Sequence, residues 1–79
     1  MITIRYFAAA REAAGVAAER VPAGSLAAVL AAAAARHGAA LAAVLDRCSY
    51  LVDGTAAHDR GRPVPAGATL DVLPPFAGG

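Results

Sequence analysis

The first part of the chain alternates apolar and polar positions with the period of a β-strand. Across residues 1–7 the even-numbered positions hold Ile, Ile and Tyr, whereas the odd-numbered positions after Met1 hold Thr, Arg and Phe. A period of two in β-branched and aromatic residues predicts a strand. Residues 8–14 favour a short helix that Gly15 ends. Residues 16–21 predict a second strand, which the short connection should pair antiparallel with the first.

The apolar positions then change to helical spacing. Ser25 is a favourable N-cap, and the apolar residues at positions 26, 29, 30 and 33 lie on one face of a helix that Gly38 ends. The same spacing recurs over residues 41–48 and includes Cys48. It predicts a second, shorter helix with Cys48 on its buried face, where we expect an inert thiol.

The last part of the chain returns to strand patterns. Residues 49–52 predict a strand, Asp53-Gly54 a hairpin turn, and residues 55–58 the return strand. Residues 60–63 and 65–67 are interpreted as loop, and residues 69–73 as the final strand with Leu70 and Val72 on one face.

A hairpin, a helix and further strands, in this order, predict an α+β fold of the β-grasp (ubiquitin-like) kind. In such a fold a mixed sheet packs against one main helix plus a short helix. The last strand then lies beside the first, in the middle of the sheet. We expect residues 1–73 to form this domain.

Residues 74–79 are expected to form a flexible tail. The segment begins with Pro74-Pro75 and finishes with Gly78-Gly79. A proline pair favours an extended backbone, and six extended residues reach roughly 20 Å. Glycine has no Cβ, so its backbone passes through a narrow channel. The tail is therefore suited to present the carboxylate of Gly79 to another protein's active site.

Composition restricts the function further. A chain of 79 residues corresponds to one domain, and a net charge of +1 does not favour nucleic acid or a membrane surface as partner. No apolar run is long enough to span a bilayer, and the N-terminus does not resemble a signal peptide, so we expect a cytoplasmic protein. All seven basic side chains are arginine, which excludes branched self-conjugation through lysine.

Candidate catalytic groups are scarce. Cys48 is the single cysteine, which excludes an internal disulfide, and His37 and His58 do not share zinc-ligand spacing with it. We expect no metal site, and His58 is interpreted as a solvated turn residue. No phosphate-binding loop is present, so the chain is not expected to bind ATP by itself. The group that remains is the α-carboxylate of Gly79.

Three segments carry a resemblance to a known family. Phe7–Gly15 resembles the F-A-x-x-R-E-x-x-G segment of molybdopterin synthase small subunits, which are ubiquitin-like sulfur carriers of the MoaD/ThiS type. Val52–Gly54 resembles their V-N-G hairpin, with Asp53 in place of Asn. Leu73–Gly79 resembles their P-P-V-x-G-G ending, with Phe76 in place of Val. The similarity extends over the whole chain.

The resemblance implies a carrier that other proteins charge and discharge. An E1-like adenylyltransferase would use ATP to adenylate Gly79, and a sulfurtransferase would convert the adenylate to a thiocarboxylate (1-thioglycine). The tail would then enter the large subunit of molybdopterin synthase, in a heterotetramer, and donate sulfur to cyclic pyranopterin monophosphate. This chain would bind no cofactor, and the catalytic residues would lie on the large subunit.

The resemblance also implies roles for individual residues. Gly79 would carry the adenylate and then the thiocarboxylate, while Ala77 and Gly78 would allow the tail to insert. The apolar docking face for the partner would comprise Phe7, Leu73, Pro74, Pro75 and Phe76. For Phe7 and Phe76, core packing is the alternative. Arg11 and Glu12 match the family segment but have no assigned role beyond a local ion pair or helix support.

Three other functions fit the same sequence. The chain could carry sulfur for cysteine or thiamine synthesis. It could be a ubiquitin-like modifier that is joined through Gly79 to lysines of other proteins. It could also be an interaction module whose tail has no chemical role.

Overall fold

The computed structural model describes residues 1–75, which form seven strands and three helices. The strands are β1 (Ile2–Tyr6), β2 (Ala18–Val21), β3 (Gly24–Ser25), β4 (Ser49–Val52), β5 (Thr55–Ala56), β6 (Pro63–Val64) and β7 (Thr69–Leu73). The helices are α1 (Ala8–Ala14), α2 (Leu26–His37) and α3 (Ala39–Leu45).

The last strand lies in the middle of the main sheet. Five strands pair in the order β2-β1-β7-β4-β5, and β3 pairs with β6 in a separate two-stranded sheet. β7 runs parallel to β1, with Ile4 opposite Leu70, and antiparallel to β4, with Val52 opposite Leu70. β1 and β2 form the antiparallel hairpin that the sequence predicted. The β-grasp prediction is therefore confirmed.

Alternation along the strands separates a buried face of the sheet from an open face. On β1 and β7 the buried face carries Ile4, Leu70 and Val72, all fully buried in one core with the apolar stripe of α2. The opposite side is called the open face here. It carries Thr3, Arg5, Ser49, Leu51, Thr69, Asp71 and Leu73.

The helix ends follow the sequence prediction. Ser25 caps α2, because its side-chain oxygen accepts a hydrogen bond from the backbone N–H of Ala28 at 3.1 Å. Gly15 ends α1 with φ 78°, in the left-handed region that favours glycine, and its N–H donates to the carbonyl of Arg11. Gly38 ends α2 and donates its N–H to the carbonyl of Ala34.

The second predicted helix is shorter than expected. α3 ends at Leu45, and a turn at Asp46 and Arg47 precedes β4, so Cys48 does not lie on a helix. Cys48 is half-buried at the edge of the core, where its thiol donates to the carbonyl of Val44 at 3.2 Å. Burial raises the pKa of this thiol. The predicted helical position of Cys48 was wrong, because the chain turns at Asp46 and Arg47 before reaching it, and the side chain packs against the core while only partly buried.

Other strands also differ from the prediction. β2 begins at Ala18 rather than at residue 16, and β5 ends at Ala56 rather than at residue 58. Residues 63 and 64 form β6, although residues 60–63 and 65–67 were interpreted as loop. The carbonyl groups of Arg60 and Arg62 accept hydrogen bonds from the first backbone N–H groups of α2. A pairing of two residues has no periodicity, so the sequence pattern could not indicate it.

A cluster around Glu19 joins the β1–β2 hairpin to the end of α2. The Tyr6 hydroxyl donates to Glu19 Oε2 at 2.5 Å, and Arg36 Nη1 donates to Glu19 Oε1 at 3.0 Å. His37 Nε2 lies 2.6 Å from Glu19 Oε2. Burial alone would raise the pKa of Glu19, but the hydrogen bonds from Tyr6, Arg36 and His37 outweigh it and lower the pKa below its ordinary value.

We predict that Glu19 makes folding pH-dependent. A carboxyl group with a lowered folded-state pKa stabilises the fold above its unfolded pKa of about 4.3, and this contribution is lost as pH falls through the folded pKa. Glu19→Gln should lower the free energy of unfolding by about 1–2 kcal/mol at pH 7. In urea unfolding, this difference from wild type should shrink below about pH 4. Glu12→Gln, at an exposed position, is the matched control. A difference that stays constant from neutral to acidic pH would contradict the prediction.

Asp53 connects the β4–β5 turn to the start of β7. Its φ of 48° lies in the left-handed region, which Asp and Asn tolerate better than other side chains. Its Oδ1 accepts the backbone N–H of Thr69 at 2.9 Å, and its own N–H donates to the carbonyl of Thr69 at 2.9 Å. The turn therefore holds the first residue of the central strand.

We predict that Asp53 is replaceable by Asn but not by Ala. Asn keeps both the side-chain oxygen and the tolerance of this backbone conformation, so Asp53→Asn should change the free energy of unfolding by less than about 0.5 kcal/mol. Asp53→Ala should cost about 1–2 kcal/mol, because it loses the hydrogen bond and keeps the unfavourable φ. Equal stability of the two variants in urea unfolding would disprove a role for the side-chain oxygen.

Candidate functional site

The candidate site is the end of β7, where the predicted tail begins. β7 ends at Leu73, which is half-buried, followed by a buried Pro74 and an exposed Pro75. Because β7 is hydrogen-bonded on both sides, this end of the strand is held by two neighbours. Four predicted site residues, Phe76, Ala77, Gly78 and Gly79, lie outside the described residues.

Phe7 lies at the same end of the sheet as Leu73. Its backbone N–H donates to the carbonyl of Val72 at 3.2 Å, and it is the N-cap residue of α1. The following residue, Ala8, has a φ of 50°, an uncommon conformation for a side chain with a Cβ. The chain turns sharply there, and the ring of Phe7 stays 37% exposed instead of entering the core.

An ion pair occupies the centre of the open face beside Phe7. Arg5 Nε and Nη2 donate to the two carboxylate oxygens of Asp71 at 2.6 and 2.8 Å, across the parallel β1–β7 register. The Arg5 side chain is 53% exposed and the Asp71 side chain 12%. The hydrogen bonds and the charge of Asp71 raise the pKa of Arg5. The Arg5 guanidinium carbon also lies 5.7 Å from the centroid of the Phe7 ring, within cation–π range.

The Arg5–Asp71 ion pair and the Phe7 ring therefore form one surface cluster, and Leu51 and Leu73 are its apolar neighbours. Leu51 lies opposite Asp71 in the β4–β7 register, and Leu73 lies further along β7 toward the tail. An exposed aromatic ring with aliphatic neighbours and a bidentate arginine is chemistry typical of a protein-binding surface. The sequence predicted Phe7 and Leu73 for this surface but not Arg5 and Asp71. Arg5 and Asp71 pair because of the register between β1 and β7, and the sequence pattern does not indicate this register.

On the helical side, a small apolar notch adjoins the same tail base. It is about 200 Å³ in volume and is lined by Ala9 of α1, by Val44 and Arg47 at the end of α3, and by Pro74 and Pro75. The two prolines were predicted as docking residues, whereas the helical residues were not. Their positions depend on how α1 and α3 pack against each other.

The described residues hold little catalytic chemistry. Among residues 1–75, no three His, Cys, Asp or Glu side chains group as metal ligands would. A larger cavity of about 350 Å³ is lined in part by Cys48, Tyr50, His58 and Arg60. Within it the Arg60 guanidinium stacks over the Tyr50 ring, and the thiol of Cys48 has a raised pKa, which disfavours the reactive thiolate. His58, Arg11 and Glu12 are exposed.

Within residues 1–75, no helix has the length and apolar character needed to cross a membrane.

The features around the end of β7 are an exposed aromatic ring, a paired arginine and an apolar notch. An exposed aromatic ring and an apolar recess are features typical of protein-binding surfaces.

Solved structures with the same fold include two kinds of protein. Two crystal structures of small archaeal modifier protein 1 (SAMP1) from Haloferax volcanii superpose with TM-scores of 0.82 and 0.81 at 29% and 28% identity. The first match covers 99% of this chain and 98% of that one; the second covers 95% and 97%. A Pyrococcus furiosus protein described as molybdopterin converting factor, subunit 1, superposes with a TM-score of 0.74 at 21% identity, covering 95% and 97%.

Among curated proteins, no significant match is found. The family comparison is more informative, because the model of the ThiS family matches residues 4–79. This range includes most of β1, all later strands and helices of the described part, and the Gly-Gly ending. With its β-grasp sheet and central last strand, the chain belongs to the ThiS family of ubiquitin-like proteins of the MoaD/ThiS type.

Proposed function

We propose that this protein is the sulfur-carrying small subunit of a cytoplasmic molybdopterin synthase. Its carboxyl-terminal glycine is converted to a thiocarboxylate, which donates sulfur to cyclic pyranopterin monophosphate and so builds the dithiolene of molybdopterin. The proposal takes Gly79 as the last residue of the working protein. The chain itself binds no cofactor, and the catalytic residues belong to its partner.

The position of β7 carries the proposal. β7 is held between β1 and β4 and leads directly into Pro74-Pro75. The prolines restrict φ, so the four residues that follow start from a firmly held base. The four residues after Pro75 reach at most about 14 Å when extended, so a partner that binds the tail base has the reacting carboxyl group within that distance. Such proximity replaces an encounter in solution with a reaction between groups that are already held together.

The chemistry follows from the poor electrophilicity of a carboxylate. A carboxylate oxygen of Gly79 attacks the α-phosphate of ATP within an E1-like activating enzyme, and pyrophosphate leaves. A persulfide sulfur delivered by a sulfurtransferase then displaces AMP, and reductive cleavage of the sulfur–sulfur bond by a thiol leaves the thiocarboxylate. The thiocarboxylate sulfur bonds to a carbon of the pterin precursor and displaces an oxygen leaving group. Water then attacks the acyl carbon of Gly79 and breaks its bond to sulfur, which leaves the sulfur on the pterin and restores the carboxylate. Each dithiolene needs two sulfur atoms, so the carrier must dissociate and be recharged.

The open face and the tail base supply docking rather than catalysis. The exposed ring of Phe7 and the side chain of Leu73 adjoin the start of the tail, so contact with them directs the tail into the partner's channel. The large subunit, the activating enzyme and the sulfurtransferase bind in turn. We propose a heterotetramer of two small and two large subunits for the complex with the large subunit.

A ubiquitin-like modifier is the second candidate function. The resemblance to the SAMP1 structures favours it, because their printed name describes a modifier and they match nearly the whole chain at 28–29% identity. In this case an amine of a target protein attacks the Gly79 adenylate, AMP leaves and an amide bond forms. Sulfur donation for cysteine or thiamine synthesis uses the same thiocarboxylate with a different acceptor.

We predict that Gly79 becomes a thiocarboxylate. Incubation with a cognate activating enzyme, ATP and a sulfur donor should raise the intact mass by the replacement of one oxygen with sulfur. A variant that lacks Gly79 should show no change in mass. Its terminal carboxyl group is on Gly78, one residue short of the position at which the enzyme reacts. The control is a second carrier protein that the same enzyme converts to its thiocarboxylate. If that carrier gains mass and the wild type does not, the sulfur-carrier function is refuted. Protein adducts that survive thiol reductants would favour the modifier.

We predict that Phe7 contributes to docking. Phe7→Ser should weaken binding to the large subunit by roughly tenfold or more, because an exposed aromatic anchor is lost, while thermal stability changes little. Val16→Ser is the matched control, since Val16 is 40% exposed and lies in the turn before β2. Isothermal titration calorimetry measures both affinities. Equal affinities of the two variants would exclude Phe7 from the interface.

A further inference from the structure

We infer that the notch lined by Ala9, Val44, Arg47, Pro74 and Pro75 is a second partner contact, separate from the open face. It receives one apolar side chain from the rim of the activating enzyme's channel, and Arg47 pairs with a carboxylate next to that side chain. This inference rests on the proposed function and adds a specificity-determining contact to it.

The location of the notch is the first support. Two of its five lining residues, Pro74 and Pro75, are also the first two residues of the predicted tail. A channel that encloses the residues after Pro75 must have its mouth against these prolines. Since Ala9 and Arg47 line the same notch, the rim of that mouth also meets the ends of α1 and α3. The contact therefore surrounds the tail base instead of lying only on the open face.

The size and chemistry of the notch define what can occupy it. Ala9, Val44 and the two prolines are apolar, and the volume is about 200 Å³. A cavity of about 150 Å³ lined by apolar side chains is sufficient to bind benzene. The notch therefore has room for one leucine, methionine or phenylalanine side chain. Burying such a side chain against apolar walls is a favourable contact.

The charge at the edge of the notch defines the neighbour of that side chain. Arg47 is exposed and forms no salt bridge within residues 1–75, although the adjacent Asp46 is also exposed. Arg5 differs, since Asp71 already compensates its charge with two hydrogen bonds. The two sides of the tail base thus present different electrostatics. A carboxylate on the partner would gain a bidentate bond from Arg47, whereas the Arg5 guanidinium on the open face is already bonded to both oxygens of Asp71.

The test compares variants as substrates of the E1-like activating enzyme, with thiocarboxylate formation measured by intact mass. Ala9→Trp places a large side chain at the notch, and Ala35→Trp is the matched control at an exposed position of α2 that does not line it. Arg47→Glu reverses the charge, and Arg47→Lys retains it. Circular dichroism establishes that each variant is folded. The assays are run at low and at high salt.

We expect Ala9→Trp and Arg47→Glu to raise KM for the carrier by roughly fivefold to tenfold, with little change in kcat, because they act on docking. Ala35→Trp and Arg47→Lys should stay within about twofold of wild type. The difference between Arg47→Glu and wild type should shrink at high salt, since salt screens exposed charges.

Three results would overturn the inference while leaving the proposed function intact. Unchanged KM for both Ala9→Trp and Arg47→Glu, with active wild type, would leave the proposed function intact and remove the notch from it. Changes in the NMR signals of residues 76–79 on Ala9→Trp, in the free protein, would assign the notch to the chain's own tail. A wild-type dimer in sedimentation that Ala9→Trp dissociates would assign it to a second copy. If the wild type itself is not charged, the proposed function fails first and the inference falls with it.

Discussion

The parallel pairing of the first and last strands is the constraint on which the rest of the structure depends. It places β7 between β1 and β4, so the final strand is hydrogen-bonded along both edges and its alternate side chains are fully buried. Parallel neighbours require a crossover connection, and the segment between β1 and β7 supplies it together with most of the core. A chain end that leaves from an edge strand would fray more easily than one that leaves from the centre of a sheet.

The same pairing creates the surface around the tail. Arg5 and Asp71 meet only because β1 and β7 are in this register, and the pair holds a guanidinium beside the ring of Phe7. The Asp71 side chain is nearly buried, whereas that of Arg5 is exposed. Without Arg5, the unpaired buried carboxylate of Asp71 would destabilise the fold. The open face thus presents the Phe7 ring and an Arg5 charge that Asp71 compensates. The notch presents an apolar recess and the charge of Arg47, which forms no salt bridge within residues 1–75.

The polar groups of the described residues serve mainly to hold the fold together. A partly buried ionisable cluster around Glu19 links the β1–β2 hairpin to α2, and Tyr6, Arg36 and His37 each bond to Glu19. The cluster therefore stabilises the fold. Members of this fold include proteins described as modifiers and as a molybdopterin converting factor subunit. In this chain the described residues supply a firmly held strand end at Leu73 and Pro74, and the chemistry that we propose for the residues beyond it depends on the partner.

The sequence by itself determined the features that arise from neighbouring residues. The period of two in β1, the helical spacing of α2, the Ser25 cap, the glycines that end the helices and the Asp53-Gly54 turn all depend on contacts within a few positions. The tertiary structure decided what depends on distant residues. Arg5 and Asp71 are 66 positions apart, β3 pairs with β6 over two residues, and the notch needs α1, α3 and the tail base together. Cys48 illustrates the limit of local patterns. It continues the helical spacing of Leu41, Val44 and Leu45, but the chain turns at Asp46 and Arg47, so Cys48 lies outside the helix. Local patterns specify elements because their energies are local, whereas register and packing are set by the lowest free energy of the whole chain.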